Sequence, residues 1–191
     1  MADSRPRSEL LDRVLSASAA VVALSALAVS VYQAKITREQ QKMSAWPYVR
    51  TMKTNAPRYA RIVQNLELGP ALVRSTVVAV DGRPTRHWND VVHALVGDSA
   101  LKVLAAAGCN GWTNSTVGRR SVLLPGATVH MVSFPEGSAS RAIEDAWGQH
   151  TVVVKVCYCS LYGDCWTATD AAPEPEAVRA CAVDDGRGFL D

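Results

Sequence analysis

The sequence predicts a mainly β protein, an immunoglobulin-like β-sandwich with one or two short helices. A single N-terminal transmembrane α-helix and a helical stalk precede this domain. Three observations carry the prediction. Residues 14–32 form an uncharged run of mostly Ala, Ser, Val and Leu, short β-branched runs closed by turn residues fill most of the remainder, and residues 157–166 form a cysteine-dense hairpin.

The apolar run is about as long as a helix needs to be to cross a hydrocarbon core of about 30 Å. Small residues in such a helix allow another helix to approach closely. We therefore expect Ser16, Ala20 and Ser25 to pack against a neighbouring helix.

Two alternatives to a membrane anchor have to be weighed. The first is a buried helix of a soluble protein, which is disfavoured because the run has no polar face. A cleaved signal peptide is imitated by Ala26-Leu27-Ala28. The segment before the run contains Asp3, Glu9 and Asp12, which is more acidic than a typical signal-peptide start, so the sequence favours an anchor.

Residues 33–45 lack Gly and Pro and are rich in helix formers, which predicts a helical stalk that ends at Trp46-Pro47. Basic residues flank the apolar run almost equally and do not decide its orientation. All five cysteines follow the run, which suits an oxidising compartment. We therefore expect residues 1–13 to form a cytoplasmic arm and the C-terminal domain to lie outside the cytoplasm.

Residues 46–169 are long enough for one domain with a core, built from about seven short strands. Asp81-Gly82 predicts one turn, and Pro125-Gly126 predicts a hairpin between the runs at 121–124 and 127–134. Helical stripes occur at 87–95 and 140–147, the second formed by Ala142, Ile143, Ala146 and Trp147.

Residues 170–191 are acidic and contain proline, which predicts an extended or disordered tail. Its Phe189-Leu190 end is a candidate segment for docking on a partner.

Residues 151–159 alternate so that Val152, Val154, Val156 and Tyr158 share the core face of a strand. The hairpin beyond it predicts a disulfide, with Cys165 joined to Cys159 or Cys157, or with one of these reaching Cys109. Five cysteines cannot all pair within one chain. We expect at least one, and Cys181 in particular, to be free or to bridge to another molecule.

No high-specificity catalytic, metal or nucleotide motif occurs in the sequence, and it predicts no catalytic residue, metal or other cofactor. A soft-metal site at Cys157 and Cys159 is a minor alternative, because the pair lacks the Cys-x-x-Cys spacing of common zinc sites. A formal net charge of +2 with both signs dispersed gives no basis for nucleic-acid binding.

The chain resembles a group of uncharacterised bacterial single-pass inner-membrane proteins with a cysteine-containing periplasmic β-domain. Besides the N-terminal helix, the segments that carry the resemblance are residues 41–48, residues 65–71 and residues 157–166. The resemblance implies an inner-membrane location with a periplasmic C-terminal domain. It implies no activity and no site residue.

By elimination and architecture, the sequence predicts a non-enzymatic interaction subunit of an inner-membrane complex. Its partners are then the lipid bilayer and another membrane-protein subunit or a second copy of the chain. Trp112 and Tyr162 are the candidate exposed anchors for a partner. The alternative is a membrane-tethered periplasmic sensor or binding protein for a ligand or a metal.

Overall fold

The computed structural model describes residues 5–106, 112–182 and 188–190. The chain divides into two compact units, Met1–Met43 and Ser44–Asp191. The first unit consists largely of helix α1 (Arg5–Ser44). The second contains every strand and the other two helices of the described residues.

Helix α1 is one uninterrupted helix through the predicted membrane segment and the predicted stalk. Pro6 lies in its first turn, where the missing N–H costs no helical hydrogen bond. The segment Leu10–Ser44 is long and apolar enough to cross a membrane. The hydroxyls of Ser18, Ser25 and Ser30 donate to backbone carbonyls within the helix at 2.8 Å, so these polar groups are paired inside the helix itself.

The second unit is built from two antiparallel sheets. The strands are β1 (Val49–Thr54), β2 (Ala60–Asn65), β3 (Ala71–Val80), β4 (Arg83–Thr85), β5 (Thr113–Asn114), β6 (Val122–Leu123), β7 (Thr128–Ser133), β8 (Val152–Cys159), β9 (Cys165–Thr169) and β10 (Glu176–Val178). Sheet A has the order β1-β2-β7-β5 and sheet B the order β10-β9-β8-β3-β4, with β6 also paired to β3.

Side chains from both sheets form one hydrophobic cluster. Sheet A contributes residues such as Val63 and Met131, and sheet B contributes Val154, Val156 and Tyr158 on the predicted face of β8. These five side chains are almost completely buried. The alternation of β8 was therefore readable from the sequence, since successive side chains of a strand point to opposite faces.

Two helices pack onto this core. Helix α2 (Trp88–Ala106) buries Trp88, Val91, Val92 and Leu95 and is interrupted at Gly97, whose φ of 68° is not helical. Helix α3 (Ser138–Gln149) buries Ile143 and Trp147. Ala142 is exposed, so the predicted stripe of α3 is narrower than expected.

Pro125-Gly126 does form a turn, in which Ala127 N–H donates to the Leu124 carbonyl at 3.0 Å. The prediction of a hairpin is nevertheless wrong. Strand β6 pairs with β3 of sheet B, whereas β7 pairs with β2 of sheet A. The turn therefore carries the chain from one sheet to the other, because turn residues specify a reversal and do not choose the strand that is paired.

The C-terminal segment also differs from the expected solvated tail. Strand β10 pairs antiparallel with β9, and Phe189 is buried against Trp88 with ring centroids 4.9 Å apart. The backbone N–H groups of Phe189 and Leu190 donate to the carbonyls of Thr76 and Arg86. The Phe189-Leu190 end thus packs on its own domain, which an acidic composition does not reveal.

The predicted turn at Asp81-Gly82 joins β3 to β4 and has positive φ angles of 50° and 78° at these residues. One Asp81 carboxylate oxygen lies 2.7 Å from His150 Nδ1, and the other accepts the Thr151 N–H at 2.8 Å. These hydrogen bonds, led by that of His150, lower the pKa of Asp81. The ionised carboxylate therefore stabilises the folded state at pH values above the ordinary aspartate pKa. This contribution is lost as the pH falls through the lowered pKa of the folded state.

We predict that Asp81→Asn lowers the chemical-denaturation midpoint of the protein at pH 6 and that the difference from the unmodified protein shrinks as the pH falls below the ordinary aspartate pKa. Asparagine keeps the tolerance for positive φ, so the comparison isolates the charge. Asp145→Asn on the exposed side of α3 is the control. A difference that persists unchanged in acid would contradict the assignment.

Candidate functional site

Four segments of the chain lie together at one end of the second unit. We call this end the loop end and define it as Trp46, residues 66–70, residues 124–126 and the hairpin turn 160–164. Strand register places them together, because Ala71 pairs with Leu123 and Leu72 pairs with both Val122 and Cys159. The chain enters the domain at this same end, since residues 45–48 lead directly into β1.

The side chain of Asn65 holds the loop end together. It is completely buried, and its Nδ2 donates to the carbonyls of Gly69, Leu123 and Leu124 at 2.7, 3.0 and 3.3 Å. Its Oδ1 accepts the Tyr48 N–H at 3.2 Å. One amide therefore bonds to backbone groups of three loops at a buried position.

Gly69 allows two of these loops to approach closely. Its N–H donates to the Trp46 carbonyl at 3.2 Å. A Cβ atom at this position would lie 1.9 Å from the carbonyl oxygen of Ala45, far inside contact distance. Glycine is required here because the backbone of residues 45–46 occupies the space of a side chain.

Aromatic rings join the entering chain to sheet B. The Trp46 ring lies 6.2 Å from that of Trp166, which stacks on Tyr158 at 5.9 Å. The Tyr158 hydroxyl accepts the Val49 N–H at 3.2 Å, and burial raises the pKa of Tyr158 to about 12. Tyr158 therefore remains protonated at neutral pH and links β1 of sheet A to β8 of sheet B.

The loop tips expose apolar side chains. Leu68, at 75 % exposure, and Leu124, at 62 %, are the most exposed. Large apolar side chains concentrated in loops at one end are unusual on a solvated surface and are typical of a contact with a protein or a membrane. The other exposed apolar side chains of this end are Trp46, Leu66, Leu161 and Tyr162.

The candidate partner-binding residues from the sequence have different positions. Tyr162 is exposed in the hairpin turn of the loop end. Trp112 is not an exposed anchor: it is half-buried and its ring stacks on Phe134 at 6.1 Å, against the core. An aromatic residue in a loop sequence is compatible with either position, so the sequence carried no signal that separates them.

The three small residues of α1 do not share one face. At about 100° per residue, Ser16 and Ala20 lie roughly 40° apart around the helix, whereas Ser25 lies about 180° from Ser16. All three are exposed within the described chain. A single helix–helix contact can therefore use Ser16 and Ala20 but not Ser25 as well.

Four cysteines form two neighbouring disulfides, Cys157–Cys181 and Cys159–Cys165. The second is one of the predicted hairpin pairings. The expectation that Cys181 is free is wrong, because β10 runs beside β9 and delivers Cys181 to Cys157. Cys109 lies outside the described residues.

A polar cleft of about 370 Å³ lies at the opposite end of the sheets. Arg61 of β2 forms an almost completely buried ion pair with Asp170, and its guanidinium lies 4.8 Å from the centre of the Trp147 ring of α3. The other Asp170 oxygen accepts the Val154 N–H at 3.0 Å. Arg61 thus connects sheet A to sheet B and to α3.

Two hydrogen-bonding groups in the wall of this cleft have no partner among the described residues, the Tyr59 hydroxyl and Trp147 Nε1. Burial raises the pKa of Tyr59 to about 12, so its hydroxyl keeps its proton at neutral pH. Buried polar groups are normally paired, so these two are exceptions, and both atoms are enclosed by protein beneath the cleft surface. Sequence reasoning missed this cleft, because its residues come from four separated segments.

Comparison of the chain with protein-family models, with curated proteins and with solved structures gives no significant match. Its function therefore has to be argued from its own residues.

We predict that Asn65→Asp lowers the free energy of unfolding by about 3 kcal/mol, because a carboxylate cannot donate to the three carbonyls and adds a buried charge. Gln64→Glu is the control, because it makes the same chemical change at a half-buried neighbouring residue of β2. It should change the free energy of unfolding by about 0.5 kcal/mol or less. Equal effects in chemical denaturation would contradict the role of Asn65.

We predict that Arg61→Met lowers the free energy of unfolding by about 3–5 kcal/mol, because it leaves the Asp170 carboxylate buried without its partner. Adding Asp170→Asn removes that charge and should restore part of the loss. Arg50→Met on the exposed side of β1 is the control. A double variant less stable than Arg61→Met alone would exclude this explanation.

Proposed function

We propose that this protein is a non-enzymatic, membrane-anchored interaction subunit of a bacterial inner-membrane complex. In this proposal α1 is the anchor, the second unit is an immunoglobulin-like sandwich in the periplasm, and the loop end contacts the partner. The observation that carries the proposal is the set of exposed apolar tips on loops that Asn65 and the Cys159–Cys165 disulfide hold in place. Rigid apolar anchors bind with a smaller loss of conformational entropy than mobile ones.

The position of the chain entry supports a partner in the same membrane. Residues 45–48 join the anchor helix to β1 at the loop end, so this end is the one nearest to the membrane along the chain. We therefore commit to another membrane-protein subunit as the occupant of the loop end.

The two disulfides support a periplasmic location for the second unit. Disulfides form and persist in oxidising compartments and are rare in the cytosol. With the second unit in the periplasm, the single crossing by α1 leaves the N-terminal arm in the cytoplasm.

The polar cleft favours a second candidate, a membrane-tethered protein that binds a small ligand. Lys53 and Glu144 line the cleft and supply one positive and one negative group for such a ligand. This candidate does not require a partner protein at the loop end.

We predict that Leu68→Ser/Leu124→Ser reduces recovery of the partner at least tenfold when the full-length protein is crosslinked in native membranes and purified in mild detergent. The substituted side chains are exposed, so stability should change little. Val77→Thr, at a partly exposed apolar position of β3, is the matched control and should retain the partner.

Two outcomes would overturn the proposal. If the double variant recovers the same partner as the unmodified protein, the loop end is not the contact. If crosslinking recovers only this chain, alone or as multiples of its 20.5 kDa mass, there is no separate subunit.

A further inference from the structure

The sulfur atoms of the two disulfides form one cluster. Cys159 Sγ and Cys181 Sγ belong to different disulfides but lie 3.9 Å apart. The sulfurs of Cys159, Cys165 and Cys181 are all within 4.8 Å of one another, and Cys157 is bonded to Cys181. Four sulfur ligands from β8, β9 and the segment after β10 thus meet at one place.

This spacing is that of a metal site as well as of two disulfides. A tetrahedral zinc centre with Zn–S bonds of about 2.3 Å places its sulfurs roughly 3.8 Å apart. The non-bonded distance between Cys159 and Cys181 already has this value within about 0.1 Å. Opening the disulfides would free the other sulfurs to reach the same spacing by side-chain rotation.

The surroundings suit a negatively charged centre. Arg74 and Arg119 line the shallow pocket beside Cys159, Cys165 and Cys181. Zn²⁺ with four thiolates carries a net charge of −2, which nearby guanidinium groups would offset. The Thr167 hydroxyl also lies 3.6 Å from Cys157 Sγ and donates to it, a contact typical of the groups that orient metal ligands.

We propose that Cys157, Cys159, Cys165 and Cys181 form a redox-gated zinc site, holding two disulfides when oxidised and one Zn²⁺ when reduced. A dithiol reductant gives two electrons and two protons to each disulfide and itself becomes a disulfide. The four resulting thiols then release up to four protons as Zn²⁺ binds. The site lies at the base of the hairpin turn 160–164 of the loop end, and its state reports the redox condition of the compartment that holds the domain.

The test uses the full-length protein in nanodiscs. The protein is reduced with dithiothreitol without oxygen, desalted, and titrated with Zn²⁺ against a chromophoric chelator. We expect one Zn²⁺ per reduced chain and none per oxidised chain. Co²⁺ in place of Zn²⁺ should give the visible absorption of a tetrahedral thiolate complex, which reports the ligand type directly.

Single substitutions identify the ligands. Cys159→Ser and Cys181→Ser should each lose the tight binding, whereas Cys109→Ser, at the remaining cysteine of the chain, should retain it. Near-ultraviolet circular dichroism shows whether each reduced protein is folded. The proposal is overturned if the reduced unmodified protein binds no Zn²⁺, whether folded or not, or if Cys109→Ser abolishes binding.

Discussion

The loop end depends on the buried amide of Asn65. Two segments present three backbone carbonyls to its Nδ2 group, and a third segment donates the Tyr48 N–H to its Oδ1. These bonds hold the backbone of the loops in place. The large apolar side chains at the loop tips therefore remain exposed to solvent. A rigid support and exposed apolar tips are therefore two aspects of one arrangement.

The other end of the two sheets is joined by a different interaction. There the buried Arg61–Asp170 pair connects β2 to the end of β9, and Trp147 covers the guanidinium. The apolar core lies between these polar contacts and contains side chains of both sheets. A buried ion pair adds little net stability over apolar residues, but its loss on one side is costly, so the pair restricts how the sheets can align.

The predictable parts of this fold are those with local patterns. Helix α1 follows from its long uncharged run, the core face of β8 from the alternate positions Val154, Val156 and Tyr158, and the Asp81-Gly82 turn from residues that tolerate positive φ. Pairing between distant segments has no such local signal. The crossing at Pro125-Gly126, the half-buried position of Trp112 and the polar cleft all depend on which strands meet, and the sequence does not contain that information in any one window.

The C-terminal segment shows how a few contacts can override composition. Its acidic, proline-bearing sequence predicts solvation, but Cys181 ties it to β8 and Phe189 enters the core beside Trp88. Strand β10, just before Cys181, covers the edge of β9, an edge that would otherwise offer unpaired backbone groups to another chain. Whether the four cysteines hold disulfides or a zinc ion, Cys181 remains attached to β8. Either state therefore keeps the edge of β9 covered, and the chemistry of the cluster can change without exposing it.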